Sequence, residues 1–213
     1  MPKKTLLITL PVAIGLAGLL LLQLQWSSQR LLAELKSRPA LVQMERWSDA
    51  DIDPDNAQWQ PVMAQLMAAL QHRPEDPELL ARVGDLYTLR LSDDALTDAQ
   101  IDEAQAQGGK HYRLSLAQRP TWVRDWDDLA LIKYNQGLYQ DEDYQLALRQ
   151  MARFGRHRSN MMELLRDISI SSWSDLGPKT RQMVAGVVEI VPLSMVAEGP
   201  TDLDLLIEHS IPL

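Results

Sequence analysis

The sequence predicts an all-α protein, and three observations support this class. Apolar residues recur at helical spacing along most of the chain. The first clear stripe in the body of the chain consists of Trp59, Val62, Met63, Leu66, Met67 and Leu70. No alternating run of β-branched residues is long enough to make a sheet. Glycine is scarce, with 10 residues in 213, which favours helix.

Composition excludes several classes of protein before any motif is considered. Hydrophobic residues make up 46% of the chain, which excludes wholesale disorder. The formal net charge is −8, and an acidic body lacks the basic face that a nucleic-acid binder needs, so we expect no nucleic-acid partner. The absence of cysteine excludes disulfides, a thiol nucleophile and thiolate metal sites.

The first element is an uncharged apolar segment, residues 6–24, which begins at Leu6 and ends at Leu24. At about 1.5 Å per residue, a helix of this length crosses a hydrocarbon core of about 30 Å. Trp26 follows at the expected headgroup level. The segment therefore predicts a membrane anchor, with residues 1–25 forming a cytoplasmic tail and a transmembrane helix. A cleaved signal peptide remains the alternative, because the length of the apolar run is the main argument against it.

The tail before the span is short and holds Lys3 and Lys4, whereas a long domain follows it. Long domains cross a membrane largely regardless of their charge. The predicted topology is a single-pass bacterial inner-membrane protein with its N-terminus in the cytoplasm and its soluble domain in the periplasm.

Residues 26–56 are predicted to be a helical extension and an acidic linker. The extension should cover residues 27–37 and stop before Pro39. The linker, residues 46–56, alternates aspartates as a calcium loop does, but Pro54 and Gln60 stand where an EF-hand needs Gly and Glu. An EF-hand is excluded and no metal site is predicted, although a weak divalent-ion contact stays open.

A helical domain is predicted over residues 57–191. After the first stripe, its helices should cover residues 77–91, 98–117, 123–135, 142–153, 160–170 and 179–191. The remaining tail, residues 192–213, is punctuated by proline. Its apolar residues allow at most a short helix that docks on the body; these residues are Leu203, Leu205, Leu206 and Ile207.

The most informative feature is an internal repeat with an offset of 46 residues. The motif ALQHRP, which ends at Pro74, recurs as SLAQRP, which ends at Pro120. Beyond the prolines, four apolar or small positions align between the copies: Leu80, Val83, Gly84 and Leu86 with Trp126, Leu129, Ala130 and Ile132. This arrangement fits a tetratricopeptide repeat with about 12 extra residues between its two helices. The sequence thus predicts a short tetratricopeptide-like helical solenoid preceded by one transmembrane helix; a non-repetitive bundle is the alternative.

The small and aromatic positions give the repeat a physical basis. Gly84 and Ala130 should let a partner helix approach closely, while Tyr87, Tyr112 and Trp126 should fill the space between packed helices. The extra residues should lie in the polar stretch 92–107, and the glycine pair that follows, Gly108 and Gly109, should break the chain before the second helix.

Two stretches resemble the signature of the VpsP family of polysaccharide-biosynthesis proteins. They are YRLSLAQRPTW, from Tyr112, and WDDLALIK, from Trp126; ARFG, from Ala152, and WSDL, from Trp173, resemble its C-terminal half. The chain departs from the family pattern at Arg156 and His157. The resemblance implies a membrane-anchored, tetratricopeptide-like accessory protein of exopolysaccharide or biofilm-matrix production, and it carries over no catalytic residue.

No constellation in the sequence predicts catalysis, so no catalytic residue and no cofactor are expected. The histidines are scattered and lack zinc-site spacing, and neither a nucleophile elbow nor a phosphate-binding glycine loop is present. His111 should be a partly buried packing residue. Trp122 and Trp126 could stack on a sugar, but the favoured interpretation places Trp126 in the core and makes Trp122 a packing residue on the turn.

Candidate partner-binding residues come from the first helices of the repeats and from a basic cluster. The first helices supply Arg82, Asp85, Asp125 and Asp128, with Trp122 beside them. The cluster contains Arg149, Arg153, Arg156, His157 and Arg158. Its members, Arg153 and Arg156 above all, could face an acidic polymer or lipid headgroups, or serve only as cations at a helix C-terminus.

The predicted function is that of a non-catalytic, membrane-anchored adaptor in exopolysaccharide synthesis or export. Its partners would be protein subunits of an inner-membrane assembly, reached through the anchor; the oligomeric state and the polymer stay open. Two alternatives remain: a periplasmic tetratricopeptide chaperone of the cytochrome c maturation type, and a glycan-active enzyme, which should show paired carboxylates in a cleft.

Overall fold

The computed structural model describes residues 2–93 and 95–188, with side chains from Gly15 onward. Within these residues it contains eight α-helices, one 3₁₀ turn and no β-strand, so the all-α prediction is confirmed. The helices are α1 (Pro2–Asp49), α2 (Asn56–Leu70), α3 (Pro77–Arg90), α4 (Asp98–Gln118), α5 (Val123–Asn135), α6 (Glu142–Phe154), α7 (Ser159–Ser171) and α8 (Pro178–Ala185); the 3₁₀ turn is Trp173–Asp175. The tail over residues 192–213, with its predicted docking, lies outside the described residues.

The chain divides after Pro120 into two compact units. The first contains α1 to α4 and the second begins at Thr121 and contains α5 to α8. In the first unit α3 packs against α4, and α1 packs against α2. In the second unit α5 packs against α6, α7 contacts both of them, and α8 contacts α6 and α7.

Helix α1 runs without interruption for 48 residues, so the predicted stop before Pro39 is wrong. Proline removes one backbone hydrogen bond and costs a helix interior about 3 kcal/mol. Residues beyond it are buried against α2, among them Ala40, Met44 and Trp47, and their burial holds the helix on course. The connector is consequently shorter than the predicted residues 46–56, because α1 extends to Asp49 and α2 begins at Asn56.

The predicted span, residues 6–24, starts among residues whose side chains are outside the description, which begins at Gly15. Within the part of the chain that is described, no helix is both long and apolar enough to cross a membrane. The leucines from Leu16 to Leu24 are 57–68% exposed, and Trp26 is 62% exposed.

Trp59 on α2 is the centre of the core of the first unit. It is 6% exposed, and its indole Nε1 donates a 2.7 Å hydrogen bond to the carbonyl oxygen of Leu86 on α3. The ring of Tyr87 lies 5.5 Å from it, and the guanidinium of Arg90 lies 4.7 Å from its centroid. One aromatic side chain therefore joins α2 to α3 through packing, a hydrogen bond and a cation–π contact.

Gly84 on α3 allows the close approach that the repeat predicts. A Cβ at this position would lie 2.7 Å from Cε1 of Tyr112 on α4, and Tyr112 is fully buried. The predicted break at Gly108 and Gly109 is wrong, because both glycines are buried inside the 21-residue helix α4. The residues inserted between the two packed segments thus lengthen α4 instead of forming only a loop.

All eight aligned repeat positions are buried, as expected for two copies of one packing pattern. In the second unit, Tyr144 on α6 fills the core at 0% exposure. Its hydroxyl donates to the carbonyl oxygen of Ile168 at 3.2 Å and lies 2.8 Å from Oγ of Ser172, which fixes the end of α7 against α6.

Candidate functional site

Arg82 and Asp85, two predicted partner-binding residues, belong to an internal polar network between α3 and α4. Arg82 contacts Oδ2 of Asp85 at 3.1 Å and Oε1 of Glu78 at 3.0 Å. The other carboxylate oxygen, Oδ1 of Asp85, accepts a hydrogen bond from the Tyr112 hydroxyl at 3.0 Å. The side chain of Asp85 is 12% exposed and that of Arg82 is 33% exposed. Asp85 thus joins α3 to α4 through Tyr112, while Arg82 pairs with this carboxylate from within α3.

The same network continues to the end of α4. Arg119 contacts Oε2 of Glu78 at 2.9 Å, and Oγ of Ser115 donates to the carbonyl oxygen of Pro77 at 2.8 Å. Burial alone would raise the pKa of Glu78, but the hydrogen bond from Arg119 and the charge of Arg82 outweigh it and hold the pKa below its ordinary value. The Arg-Pro motif therefore ends α4 with a cation that pairs with the start of α3.

The remaining predicted partner-binding residues lie at the start of α5 and differ in their exposure to solvent. Asp125 is 1% exposed, so its prediction as a partner-binding residue is wrong: a ligand cannot reach a side chain that the fold encloses. Trp126 is in the core at 7% exposure, as expected, whereas Trp122 is 46% exposed at the N-cap position of α5. Asp128 lies 3.8 Å from Arg124 on the same helix.

Asp127 is a half-buried titratable group that the sequence did not single out. Its Oδ1 is shielded from solvent and has no hydrogen-bond partner among the described residues. Burial raises its pKa to about 6, although the charges of Arg124 and Arg158 act in the opposite direction. The available signal was its position next to Trp126, at the border of the buried stripe of α5.

The members of the basic cluster at the end of α6 differ in their contacts, and Arg153, Arg156, His157 and Arg158 are exposed. Arg149 points to α8 and donates to Oγ1 of the buried Thr180 at 2.8 Å. Arg153 lies over the ring of Phe154 at 5.0 Å, and Nε of Arg156 donates to the carbonyl oxygen of Ala152 at 3.2 Å. Arg153 and Arg156 are exposed, and Arg156 serves as a cation at the helix C-terminus.

A pocket of about 620 Å³ lies between the start of α6, the 3₁₀ turn and the start of α8. Three carboxylates line it, those of Glu142, Asp143 and Asp175. Oδ1 of Asp175 accepts a 3.2 Å hydrogen bond from Gln140, so this carboxylate already has a partner. The pocket keeps the glycan-active alternative open, because that alternative requires paired carboxylates in a cleft.

His111 packs inside the first unit, as expected. Its Nδ1 lies 2.8 Å from the carbonyl oxygen of Gln107, and its ring stacks on Tyr87 at 5.9 Å. Burial lowers its pKa below the ordinary value, with the charge of Lys110 acting in the same direction. Among the residues that the structure describes, no group of three metal-ligating side chains is placed to hold an ion.

A groove of about 640 Å³ runs between α1 and α2. Its walls are mixed in character and include Leu35, Arg38, Pro39, Val42, Arg46 and Pro61. Leu31 and Leu35 continue the apolar face of α1 and are 58% and 60% exposed. The lining of the groove combines apolar side chains with the cations Arg38 and Arg46.

Comparison with family models, with curated proteins and with solved structures found no match to this chain.

Proposed function

We propose that this protein is a non-catalytic, membrane-anchored helical adaptor of bacterial exopolysaccharide synthesis or export. The observation that carries the proposal is the continuity of α1. One helix includes the apolar segment and also supplies buried residues of the first unit, such as Ala40 and Trp47. A rigid connection of this kind holds a body at a fixed place beside a membrane.

The membrane half of the proposal is supported by exposed leucines in the first part of α1. Leu19, Leu20 and Leu21 project in different directions around the helix and are 62%, 66% and 67% exposed. Exposing such a fully apolar surface to water over several helical turns is energetically unfavourable, whereas a hydrocarbon core solvates it well. The proposed site of the protein is the inner membrane, with the N-terminus in the cytoplasm and the body in the periplasm.

The adaptor half is supported by the repeated helix pairs. The first helices of the α3–α4 and α5–α6 pairs, α3 and α5, bury equivalent positions, which is a property expected of tetratricopeptide-like repeats. Such repeats commonly present partner-binding surfaces and carry no chemistry of their own. The polysaccharide role rests on the resemblance of the stretches from Tyr112 and Trp126 to the VpsP family.

The first experiment tests the anchor. We expect the full chain to remain in the membrane fraction after alkaline carbonate extraction. Protease added to intact spheroplasts should degrade the body, because a periplasmic domain is accessible to the protease whereas a cytoplasmic domain is protected. Release by carbonate would contradict the anchor, and protection in intact spheroplasts would contradict the periplasmic topology.

The second experiment tests the adaptor role by co-purification from mild detergent. Polysaccharide synthase or export subunits should accompany the protein; haem-handling proteins would instead favour the chaperone alternative. Among the predicted binding residues, Trp122, Arg153 and Arg156 are exposed. Trp122→Ala should reduce partner recovery about tenfold or more, as truncation of an interface tryptophan does. Arg166→Ala, at an exposed arginine on α7, is the control.

The glycan-active alternative is tested at the pocket between α6 and α8. Turnover of a glycan by the purified chain, abolished by Glu142→Gln or Asp175→Asn, would replace the adaptor proposal with an enzymatic one. We expect no turnover in wild type or in either variant.

A further inference from the structure

A second cavity, of about 690 Å³, lies where α1 leaves the first unit. One wall is α1, through Leu22, Gln25, Trp26 and Gln29, and the other is the turn between α2 and α3, residues 72–76. Along α1 the lining thus changes from Leu22 to amide and indole side chains within about 10 Å. This change matches the passage from the hydrocarbon core to the headgroup region at a membrane surface.

A hydrogen bond fixes the turn at this level of α1. Nδ1 of His72 lies 2.7 Å from Oε1 of Gln29, one helical turn beyond Trp26. Nε2 of His72 is shielded from solvent and has no hydrogen-bond partner in the part of the chain that is described. The contact between His72 and Gln29 therefore holds the turn against α1 at the level where the proposed span ends.

The charges of the turn restrict which ligand fits the cavity. Arg73 pairs with Asp76, and Asp76 also caps α3 by accepting hydrogen bonds from the backbone N–H groups of Glu78 and Leu79. Glu75 is exposed. The formal charges of the lining residues Arg73, Glu75 and Asp76 sum to −1. An anionic headgroup would add to this negative charge, whereas a headgroup with a cationic end would offset it.

We propose that this cavity binds the phosphoethanolamine headgroup of a membrane lipid, an inference that rests on the proposed membrane anchor. The guanidinium of Arg73 faces the phosphate. The primary ammonium pairs with the exposed carboxylate of Glu75. A choline headgroup has no N–H to donate to this carboxylate, and a phosphoglycerol headgroup has no positive charge. Leu22 and Trp26 contact the lipid beyond the phosphate.

The test measures lipid retention by the full chain in detergent with native mass spectrometry. Phosphatidylethanolamine, phosphatidylcholine and phosphatidylglycerol with identical acyl chains are added in equal amounts. We expect phosphatidylethanolamine to be retained about three- to fivefold more than the others, the size of one partly exposed ion pair. Glu75→Gln should remove the preference, because it deletes the charge without changing the shape of an exposed side chain. Arg73→Gln should weaken retention of phosphatidylethanolamine.

Glu45→Gln is the matched control, because it removes an exposed carboxylate of α1 outside the cavity and should leave the preference intact. Equal retention of the three lipids, or a preference that survives Glu75→Gln, would overturn the site while leaving the anchor untouched. Failure of the anchor itself would be recognised separately, by release of the protein in carbonate. The last measurement adds soluble glycerophosphoethanolamine as a competitor of the retained lipid. If it displaced phosphatidylethanolamine at equal concentration, the site would bind a free headgroup and the assignment to a membrane lipid would be overturned.

Discussion

Replacing Gly84 by alanine tests the packing of α3 on α4 directly. The new Cβ would lie 2.7, 2.9 and 2.9 Å from Cε1, Cδ1 and Cζ of Tyr112. The ring cannot move aside, because Tyr112 is fully buried and its hydroxyl is bonded to Asp85. The helices must therefore separate. Overpacking of a tight core costs about 1–3 kcal/mol, and three contacts to a fixed ring favour the upper end.

Alanine also has a higher helix propensity than glycine, which returns about 1 kcal/mol. The net expectation is a loss of about 2 kcal/mol in the free energy of unfolding, or about thirtyfold in the equilibrium constant. With an m value of about 2 kcal/mol per molar urea, the unfolding midpoint of the first unit should fall by about 1 M.

The assay is urea unfolding of the full chain in mild detergent, followed by circular dichroism. Gly186→Ala is the control, since a Cβ there would meet its nearest atom at 3.5 Å and the backbone is in the ordinary helical region. The control should be neutral or slightly stabilised. If Gly84→Ala were as stable as the control, the close approach of Tyr112 to Gly84 would not constrain the fold, and our account of the repeat would be refuted.

Three further substitutions test individual contacts. Asp141→Ala should cost about 2 kcal/mol in urea unfolding, because it removes the N-cap of α6 and the 3.0 Å partner of Lys133, while Asp141→Asn, which keeps the cap, should cost less. Tyr112→Phe should cost about 1 kcal/mol by deleting the hydrogen bond to Asp85, and a wild-type midpoint would contradict that bond's contribution. The folded-state pKa of Asp127 is raised to about 6 from 3.8, so the folded state holds the proton more tightly and the free energy of unfolding falls as pH rises between these values. Asp127→Asn should remove this pH dependence in a pH series of unfolding midpoints. An unchanged pH dependence would contradict the raised pKa.

Local signals in the sequence account for most of the helix boundaries. Asp76 and Asp141 occupy N-cap positions, and their carboxylates accept hydrogen bonds from the first turns of α3 and α6. The predicted bounds of α5 are those observed. These signals act within one helical turn, so the short-range sequence contains all the information they need.

The errors arose where packing outweighs a local preference. Pro39 is an unfavourable residue inside a helix, yet α1 continues through it, because residues on its C-terminal side are buried in the first unit. Gly108 is tolerated inside α4 because the helix is buried there. Asp125 carries a charged side chain of the kind usually found at a protein surface. Its position on α5 nevertheless places it inside, and only the packed structure shows this. The pairing of Arg82 with Asp85 follows from helical spacing, whereas the third partner, Tyr112, is 27 residues away.

The unbroken course of α1 has a mechanical consequence. Trp47 is buried in the first unit and lies about 35 Å along the helix axis from Leu24, at about 1.5 Å per residue. A continuous helix moves as one body. A tilt of about ten degrees of its N-terminal half therefore displaces Trp47 by about 6 Å relative to the surroundings of that half. Under the proposed membrane anchor, bilayer thickness would, through the tilt it imposes, set how far the first unit stands from a neighbouring protein.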